Sequence, residues 1–556
     1  MGFYDDIVKF IKDEKPEKDA LSRQKAKLSQ KYNLKRIPSD IEILLRADIK
    51  DVEAIKRLLL TKPIRSMSGV TVCAIMAYPF RCPHGQCLMC PGKEGVPQSY
   101  TGKEPAAMRG IRNHFDSYLQ VMNRLEQYIC SGHSPDKMEL IIMGGTFPSF
   151  DRRYQEEFVM YAFKAMNDFS RMFYRRSGGF DFIGFKKFFE LPGEVGSAER
   201  TRRIHEKLLC IKGKSNLKKE QKKNETAGIR CIGLTIETRP DYSSLDHGNH
   251  MLELGATRVE LGVQSLYDDV LVHIKRGHDL QASIDATRTL KDLGFKINYH
   301  IMPGLPGSNI ERDKEMLKAL FLDDRFRPDM LKIYPCMVIP GSELYNEWEK
   351  GSFQAMSTAQ AARLIADWKP NVPAYCRIMR VQRDIPTDAV SAGVDLTNLR
   401  QIVQKQMVEK NIFCGCIRCR EIGRNKPKGG VGIKTLEYTA SGGDEFFIAA
   451  ESGRALLGFC RMRFPSQCLR KEIIIGSALI RELHVYGEAA GIGRIGKIQH
   501  RGLGKKLLSK AESIAIKHGK RKMVIISGVG AREYYRKLGY VRQGPYMTKY
   551  LLRDSA

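Results

Sequence analysis

The chain has 556 residues, and 92 basic against 63 acidic residues give it a formal net charge of +29. This length predicts two or three domains. No apolar run approaches the roughly 18 residues that a membrane span needs, and the charged N-terminus lacks an apolar signal region, so we expect a cytoplasmic protein without membrane segments. The positive charge favours a nucleic acid partner. An acidic protein, an anionic membrane surface or a merely solvated basic surface are the alternatives.

The first segment, residues 1–65, is polar, lysine-rich and helical in pattern. The stretches DIEILLRADI and VEAIKRLLL have the spacing of short amphipathic helices. We therefore expect a small helical N-terminal module that presents positive charge.

Residues 66–340 alternate β-like runs with helical patterns, which predicts an α/β fold with a parallel sheet closed as a barrel or partial barrel. In one helical segment, Asp279 is suited to cap the start and Gly294 to end the helix. An insertion at about 171–227 contains the charge run KGKSNLKKEQKKNET, which has little to bury and predicts a mobile loop. The β-like runs are MELIIMGG, CIGLTIET, TRVELGV, KINYHIM and MLKIYP.

Cys82, Cys87 and Cys90 lie within nine positions on a segment rich in proline and glycine. Clustered cysteines in a reduced compartment indicate metal ligands. Three thiolates can hold three irons of a 4Fe–4S cluster and leave the fourth iron open to a cofactor. A structural zinc site with His84 as the fourth ligand is the alternative.

A second cysteine group, Cys414, Cys416 and Cys419, lies in residues 341–430, which we expect to connect two domains. The spacing predicts a structural zinc knuckle whose fourth ligand is Cys376 or a histidine. Three reduced surface thiols are the alternative.

Residues 431–556 have the pattern of a compact α/β domain. A glycine turn, Gln499-His-Arg-Gly502-Leu503-Gly504, separates a β-rich stretch from a helix. Backbone N–H groups in such a turn can reach a phosphate at the helix N-terminus, and glycine permits the close approach. An ordinary tight turn is the alternative. The predicted apolar face of the helix consists of Leu507, Leu508, Ala511, Ile514 and Ala515.

Two superfamily resemblances follow. The C-terminal segment resembles the GNAT acetyltransferases in the order of its parts: a strand, the turn Gln-x-x-Gly-x-Gly, a helix, a second strand and then YYRKLGY. This resemblance implies that the turn binds the coenzyme A pyrophosphate. The first cysteine group resembles the radical S-adenosylmethionine superfamily. It has the spacing Cys-x4-Cys-x2-Cys and is followed about fifty residues later by a strand that ends in Gly144-Gly145. That resemblance implies a 4Fe–4S cluster and places the two glycines at the amino group of S-adenosylmethionine. The usual first gap is three residues, so this chain departs by one.

In combination, the chain resembles the catalytic subunit of Elongator, including its single-protein prokaryotic members. The matching segments cover most of residues 66–547; among them are SYTGKEPAAMRGIRNHFD, LKIYPCMVIPGSELY, RVQRDIP and QHRGLGKKLL. The resemblance implies an acetyl-CoA site, with Lys137 and Tyr535 as catalytic residues. The other implied acetyl-CoA contacts are Glu482, Leu483, His484, Val485, Gln499, Gly502, Leu503, Gly504 and Lys505.

The resemblance also implies a function: modification of the tRNA wobble uridine to 5-carboxymethyluridine, with acetyl-CoA as the two-carbon donor and S-adenosylmethionine as the radical source. The anticodon stem-loop and an electron donor are the implied partners, and homo-oligomerisation or accessory proteins are left open. Arg109 and Arg112 are candidate RNA contacts. Two other functions are the alternatives: a protein lysine acetyltransferase that uses the C-terminal domain alone, and an RNA-binding scaffold with an inert cluster.

Overall fold

The computed structural model describes residues 2–61, 69–175, 178–193, 197–423, 425, 427–487 and 502–551. The N-terminal segment forms four helices: α1 (Phe3–Glu14), α2 (Lys18–Lys31), α3 (Asp40–Arg46) and α4 (Ile49–Ile55). Ser39 caps α3 in a reciprocal pair with Glu42. The apolar faces of these helices are buried in the same core as the first sheet. The helical prediction is therefore confirmed, and the module packs against the rest of the chain.

The first sheet has seven strands, and their spatial order follows the chain. Every neighbouring pair is parallel. This arrangement is the partial barrel that the alternating pattern predicts. The strands are β1 (Thr71–Met76), β2 (Lys137–Met143), β3 (Arg230–Thr238), β4 (Arg258–Gln264), β5 (Lys296–Ile301), β6 (Met330–Ile333) and β7 (Arg377–Arg380). The sheet thus extends past residue 340, because β7 lies in the segment that we expected to connect the domains.

Helices connect the strands of this sheet. Asp279 accepts a hydrogen bond from the Ala282 N–H at the start of one helix, which ends at Asp292, two residues before Gly294 (φ +94°), as predicted. These helices are α5 (Pro105–Arg112), α6 (Ser117–Cys130), α7 (Arg152–Phe173), α8 (Phe182–Phe188), α9 (Ala198–Lys212), α10 (Leu217–Asn224), α11 (Leu245–Leu254), α12 (Asp268–His273), α13 (Leu280–Asp292) and α14 (Ile310–Leu322).

The prediction of a mobile loop in the insertion is wrong at its most charged stretch, which forms α10. Glu220 and Asn224 on this helix are fully buried. The Asn167 side chain donates to Glu220 at 2.8 Å, and Asn224 accepts from the Cys231 N–H of β3 at 2.8 Å. The high charge of this segment did not predict a helix, because the buried face of α10 is polar and its polar groups are hydrogen-bonded to specific partners.

A connecting region leads to the second sheet. It contains α15 (Glu343–Glu349), α16 (Thr358–Trp368), α17 (Leu399–Glu409) and α18 (Ile417–Arg420). The second sheet has the order β13-β14-β12-β11-β10-β9-β8, and only β11 and β12 pair in parallel. Its strands are β8 (Gly432–Ala440), β9 (Gly443–Ser452), β10 (Ala455–Phe464), β11 (Ser477–Val485), β12 (Lys522–Ile526), β13 (Val541–Gln543) and β14 (Tyr546–Tyr550), with helices α19 (Leu503–Lys517) and α20 (Arg532–Arg536).

The apolar face predicted for the last long helix is confirmed, since all five of its residues are buried in α19. They form a core with the strands of the second sheet. Among the helices of the described residues, none is long and apolar enough to cross a membrane.

The two sheets meet through a buried ionic network. Asp329, directly before β6, accepts from Arg481 of β11 at 2.7 Å and lies 3.5 Å from Arg461 of β10. Arg481 also pairs with Glu445 at 3.0 Å. All four side chains are almost completely buried. The second sheet therefore packs on the amino ends of the barrel strands, opposite the edge that carries the first cysteine group.

Candidate active site

The first cysteine group lies at the carboxyl edge of the barrel sheet, in the loop that follows β1. Cys82, Cys87 and Cys90 line a cavity of about 170 Å³. A hydrogen bond from Cys90, together with the guanidinium group of Arg276, lowers the pKa of Cys87 to about 6. Since the thiolate is the metal-binding form of cysteine, this environment favours Cys87 as a ligand. Burial raises the pKa of Cys82, and the hydrogen bond with Cys87 together with burial raises that of Cys90 well above its ordinary value.

The spacing of the sulfur atoms separates the two cysteine groups. A tetrahedral zinc with bonds of about 2.3 Å holds its sulfur ligands about 3.8 Å apart. The sulfurs of Cys414, Cys416 and Cys419 lie within 4.8 Å of one another. In the part of the chain that the structure describes, Cys82, Cys87 and Cys90 do not all lie within this distance of one another, although the Cys87 sulfur is hydrogen-bonded to Cys90 and lies 3.1 Å from a ring nitrogen of His84. The second group thus has the sulfur spacing of a zinc site.

Two glycines follow β2 beside the cysteine loop, and Gly145 lines the cavity. Gly144 and Gly145 have φ of +123° and +95°. A Cβ atom on Gly144 would lie 3.1 Å from the Ala77 backbone nitrogen, and one on Gly145 would lie 3.8 Å from the sulfur of Cys82. This cradle fits a small amino-acid group next to an open iron, as the resemblance implies.

A second cavity, of about 1000 Å³, fills the lumen of the partial barrel and reaches the second sheet. We call it the lumen. Lys137, at the start of β2, lines it together with Glu482, Leu483 and His484 of β11 and with Tyr535 of α20. The structure thus brings together the expected acetyl-CoA residues of both domains. Burial lowers the pKa of Lys137. Burial also raises the pKa of Tyr535, so this phenol stays protonated and can donate a hydrogen bond.

The glycine turn lies at the start of α19, beside Tyr534, which lines the lumen. Gly502 is the N-cap residue, with φ of +80°, and Leu503, Gly504 and Lys505 form the first turn. A Cβ atom on Gly504 would lie 2.9 Å from the Tyr534 hydroxyl and 3.7 Å from a methyl group of Val485. This narrow approach and the N–H groups at a helix start suit a phosphate group. Gln499 lies outside the described residues.

The two cavities adjoin each other. Ala106, Met143, Glu237, Arg380 and Asp384 line both of them. A path inside the barrel therefore joins the cysteine loop at one edge to the expected acetyl-CoA residues at the other.

Sequence reasoning missed a charged group in the middle of this path. Lys332 donates to Glu237 at 3.0 Å and also pairs with Glu260. The His300 ring nitrogen lies 2.8 Å from Glu260. Although burial raises the pKa of Glu260, Lys332 and His300 outweigh it and hold this pKa well below its ordinary value. The available signal was a titratable residue inside each of three otherwise largely apolar runs: Glu260 in TRVELGV, His300 in KINYHIM and Lys332 in MLKIYP.

The second cysteine group lies at the end of the connecting region. Cys376, fully buried just before β7, accepts through its carbonyl from the Ile417 N–H at 2.9 Å. Burial, and after it the neighbouring Cys416, raises the pKa of the Cys376 thiol well above its ordinary value. Of the predicted fourth ligands, Cys376 lies beside this group in the fold, but its sulfur is not part of the set that lies within 4.8 Å.

The candidate RNA contacts on α5 have different environments. Arg109 lines the lumen and donates to the Ala74 carbonyl of β1 at 2.8 Å. Arg112 is exposed. Only Arg112 is thus available to a partner at the outer surface.

Comparisons with known proteins agree with this architecture. Residues 3–67 match the ELP3 N-terminal domain, residues 77–320 the radical SAM superfamily, residues 328–409 the radical SAM C-terminal domain, and residues 417–540 the acetyltransferase (GNAT) family.

Relatives cover nearly the whole chain. A tRNA uridine(34) acetyltransferase from Methanocaldococcus jannaschii is 44% identical, covering 92% of this chain and 90% of the relative. Elongator complex protein 3 from Mus musculus is 38% identical, covering 96% and 93%. The solved structure of archaeal Methanocaldococcus infernus Elp3 with an N-terminal deletion matches with a TM-score of 0.70 at 40% identity, covering 87% of this chain and 100% of that one. The chain therefore belongs to the family of Elongator complex protein 3 and the tRNA uridine(34) acetyltransferases.

Proposed function

We propose that this enzyme converts the wobble uridine of tRNA, position 34, to 5-carboxymethyluridine, using acetyl-CoA and S-adenosylmethionine. The observation that carries the proposal is the path inside the barrel between the cysteine loop and Lys137. The names of the relatives, tRNA uridine(34) acetyltransferase and Elongator complex protein 3, support the substrate. The basic charge of the chain supports a polyanionic partner.

Each cofactor has residues that would hold it. Cys82, Cys87 and Cys90 would bind three irons of the 4Fe–4S cluster, and Gly144 and Gly145 would border S-adenosylmethionine. When bound, these groups supply a carbon radical that activates the acetyl methyl group, which is a reactivity that amino-acid side chains lack. In the overall balance, S-adenosylmethionine, acetyl-CoA, uridine and water give methionine, 5′-deoxyadenosine, coenzyme A, 5-carboxymethyluridine and a proton.

The protein's own residues would bind acetyl-CoA and orient the reacting groups. Residues 502–505 and β11 would hold acetyl-CoA, and we assign Lys137 to its acetyl end. The protonated Tyr535 hydroxyl would donate a hydrogen bond to the thioester or to the departing thiolate. The lumen would hold the reacting groups at fixed positions, which supplies much of the rate in such reactions. The group of Lys332, Glu237, Glu260 and His300 gives the lumen a fixed polar wall.

We assign a structural zinc ion to Cys414, Cys416 and Cys419, with Cys376 as the fourth ligand. Four cysteines form a closed tetrahedral site of the structural type. Because Cys376 directly precedes β7, such an ion would tie the connecting region to the barrel sheet. Arg377, the next residue, donates to Tyr486 and Glu421, each at 2.8 Å, which extends this tie to the second domain.

The test is an anaerobic reaction of the reconstituted enzyme with dithionite, S-adenosylmethionine, acetyl-CoA and unmodified tRNA, followed by nucleoside mass spectrometry. We expect 5-carboxymethyluridine from the wild type, none from Cys87→Ala, and an unchanged yield from Cys210→Ala, which removes an exposed thiol on α9. A wild type that binds iron and S-adenosylmethionine but acetylates protein lysines and leaves uridine unchanged would contradict the proposal.

A further inference from the structure

Two aromatic rings are exposed directly beside the cysteine loop. Tyr78 and Phe80 lie between the end of β1 and Cys82, and 60% and 49% of their surfaces are exposed. Large aromatic side chains usually bury most of their surface in a soluble protein. Two such rings on one short segment, at the edge that carries the cysteine loop, therefore need an explanation.

Both residues are held in place by contacts with other aromatic side chains. The Phe80 ring lies 4.9 Å from that of Phe150, which stacks on Tyr154 at 4.9 Å. The Tyr78 N–H donates to the Tyr154 hydroxyl at 2.9 Å, and the Tyr78 ring meets Phe115 edge-on at 6.2 Å. Rings that are fixed in this way lose little conformational entropy when a ligand covers their outer faces.

The segment is continuous with the wall of the candidate active site. Ala77, just before Tyr78, contacts the position where a Gly144 side chain would lie, and Gly145 faces the sulfur of Cys82. An exposed arginine borders the rings, because Arg81 follows Phe80 directly. An aromatic surface beside a guanidinium group matches the chemistry of single-stranded RNA, which has flat bases and an anionic backbone.

We propose that Tyr78 and Phe80 form a stacking platform for the nucleotides that flank the target base in a single-stranded RNA loop. The inference rests on the proposed function, because a base that enters the cavity must leave its stack and exposes the faces of its neighbours. The two rings replace the lost stacking partners. Since every base has an aromatic face, the platform holds the loop without reading its sequence, and selection of uridine is left to the cavity.

The test uses the full-length protein and a fluorescein-labelled anticodon stem-loop with unmodified uridine, in a fluorescence anisotropy titration at fixed salt. Tyr78→Ala and Phe80→Ala are each expected to weaken binding about tenfold, which is about 1.4 kcal/mol and within the range of one base–aromatic stack. Tyr78→Phe and Phe80→Tyr keep an aromatic face and should bind within about twofold of wild type. Tyr550→Ala removes a ring of similar exposure (63%) from the second sheet and is the matched control.

A fully paired RNA duplex of equal charge separates stacking from charge attraction, and all variants should bind it equally. Iron content should be unchanged in the alanine variants. If it falls, the conservative variants are compared with a Tyr78→Leu, Phe80→Leu double variant, which stays apolar but loses both rings. Weaker loop binding by the double variant than by the conservative variants supports the platform, and equal binding overturns it.

The outcomes for the platform and for the proposed function are distinct. Alanine variants that bind and modify the stem-loop like wild type would overturn the platform and leave the function standing. Weakened loop binding by the variants, with no modified uridine from any protein, would support the platform and contradict the function. A change in oligomeric state in place of RNA affinity would identify the rings as a protein interface and overturn the platform.

Discussion

Asp329 is the buried carboxylate at which the two domains meet, and Asp329→Asn removes its charge while keeping its shape. In the wild type, Arg481 donates to both of its oxygens, Arg461 lies 3.5 Å away, and the Ile297 N–H donates to it at 2.8 Å. Removing one partner of a buried ion pair costs about 3–5 kcal/mol. Because Glu445 and Glu482 still pair with the two arginines, we expect the lower end, about 3 kcal/mol, in the free energy of unfolding.

Urea unfolding measures this loss. With an m value of about 3 kcal/mol/M, the midpoint should fall by about 1 M. Both tryptophans, Trp348 and Trp368, precede the second sheet, so fluorescence reports the first part of the chain and protease cleavage within 431–551 reports the second. Asp324→Asn, at a neighbouring exposed carboxylate, is the matched control and should stay within about 0.5 kcal/mol of wild type. Equal midpoints for the two variants would refute the reasoning.

The same carboxylate predicts a pH dependence. Burial alone raises the pKa of Asp329, but Arg481 and Arg461 outweigh it and hold this pKa well below its ordinary value. A carboxyl group whose pKa is depressed by folding adds stability above its unfolded pKa of about 3.9, and this stability is lost as the pH falls through the folded value. The wild type should therefore lose its advantage over Asp329→Asn progressively below about pH 4, and a constant difference down to pH 2 would contradict this.

Three further predictions concern single sites. Cys416→Ala should reduce the zinc content from about one ion per chain to none at unchanged iron content, and full zinc retention would contradict the four-cysteine assignment. Gly504→Val should weaken acetyl-CoA binding at least tenfold in calorimetry, because its side chain would displace the Tyr534 hydroxyl and obstruct the approach of a phosphate to the helix start, and unchanged affinity would remove the turn from the site. Glu225→Gln removes the charge that pairs with the buried Arg532, the first residue of α20, and so loosens the helix that carries Tyr535. This variant should raise the KM for acetyl-CoA more than it lowers kcat, whereas an unchanged KM would contradict a positioning role for Glu225.

Local patterns predicted much of the fold. Alternating strand and helix patterns predicted the parallel sheet, and the 3.6-residue period predicted the apolar face of α19. Asp279 and Gly294 marked the ends of α13 because helix caps depend on a few neighbouring residues. The same local reasoning failed at α10, where buried Glu220 and Asn224 are stabilised by partners distant in sequence.

The candidate site was predictable only in part. The cysteine spacing and the glycine turn carry their chemistry locally, and the family resemblance supplied Lys137 and Tyr535. The lumen lies between the cysteine loop and the expected acetyl-CoA residues because of the way in which the second sheet packs on the first. This packing depends on partners such as Asp329 and Arg481. No local pattern encodes those contacts, and the pairing of Lys332 with Glu260 likewise requires knowledge of strand neighbours.

The most direct test of one shared lumen uses acetyl-CoA with a trideuterated methyl group, in the anaerobic reaction with tRNA. If radical source and acetyl group meet inside the barrel, the 5′-deoxyadenosine produced should carry one deuterium, and the new 5-carboxymethyl group should carry two. Formation of 5-carboxymethyluridine with 5′-deoxyadenosine free of deuterium would show that the acetyl methyl group is not the site of hydrogen abstraction and would contradict the shared lumen.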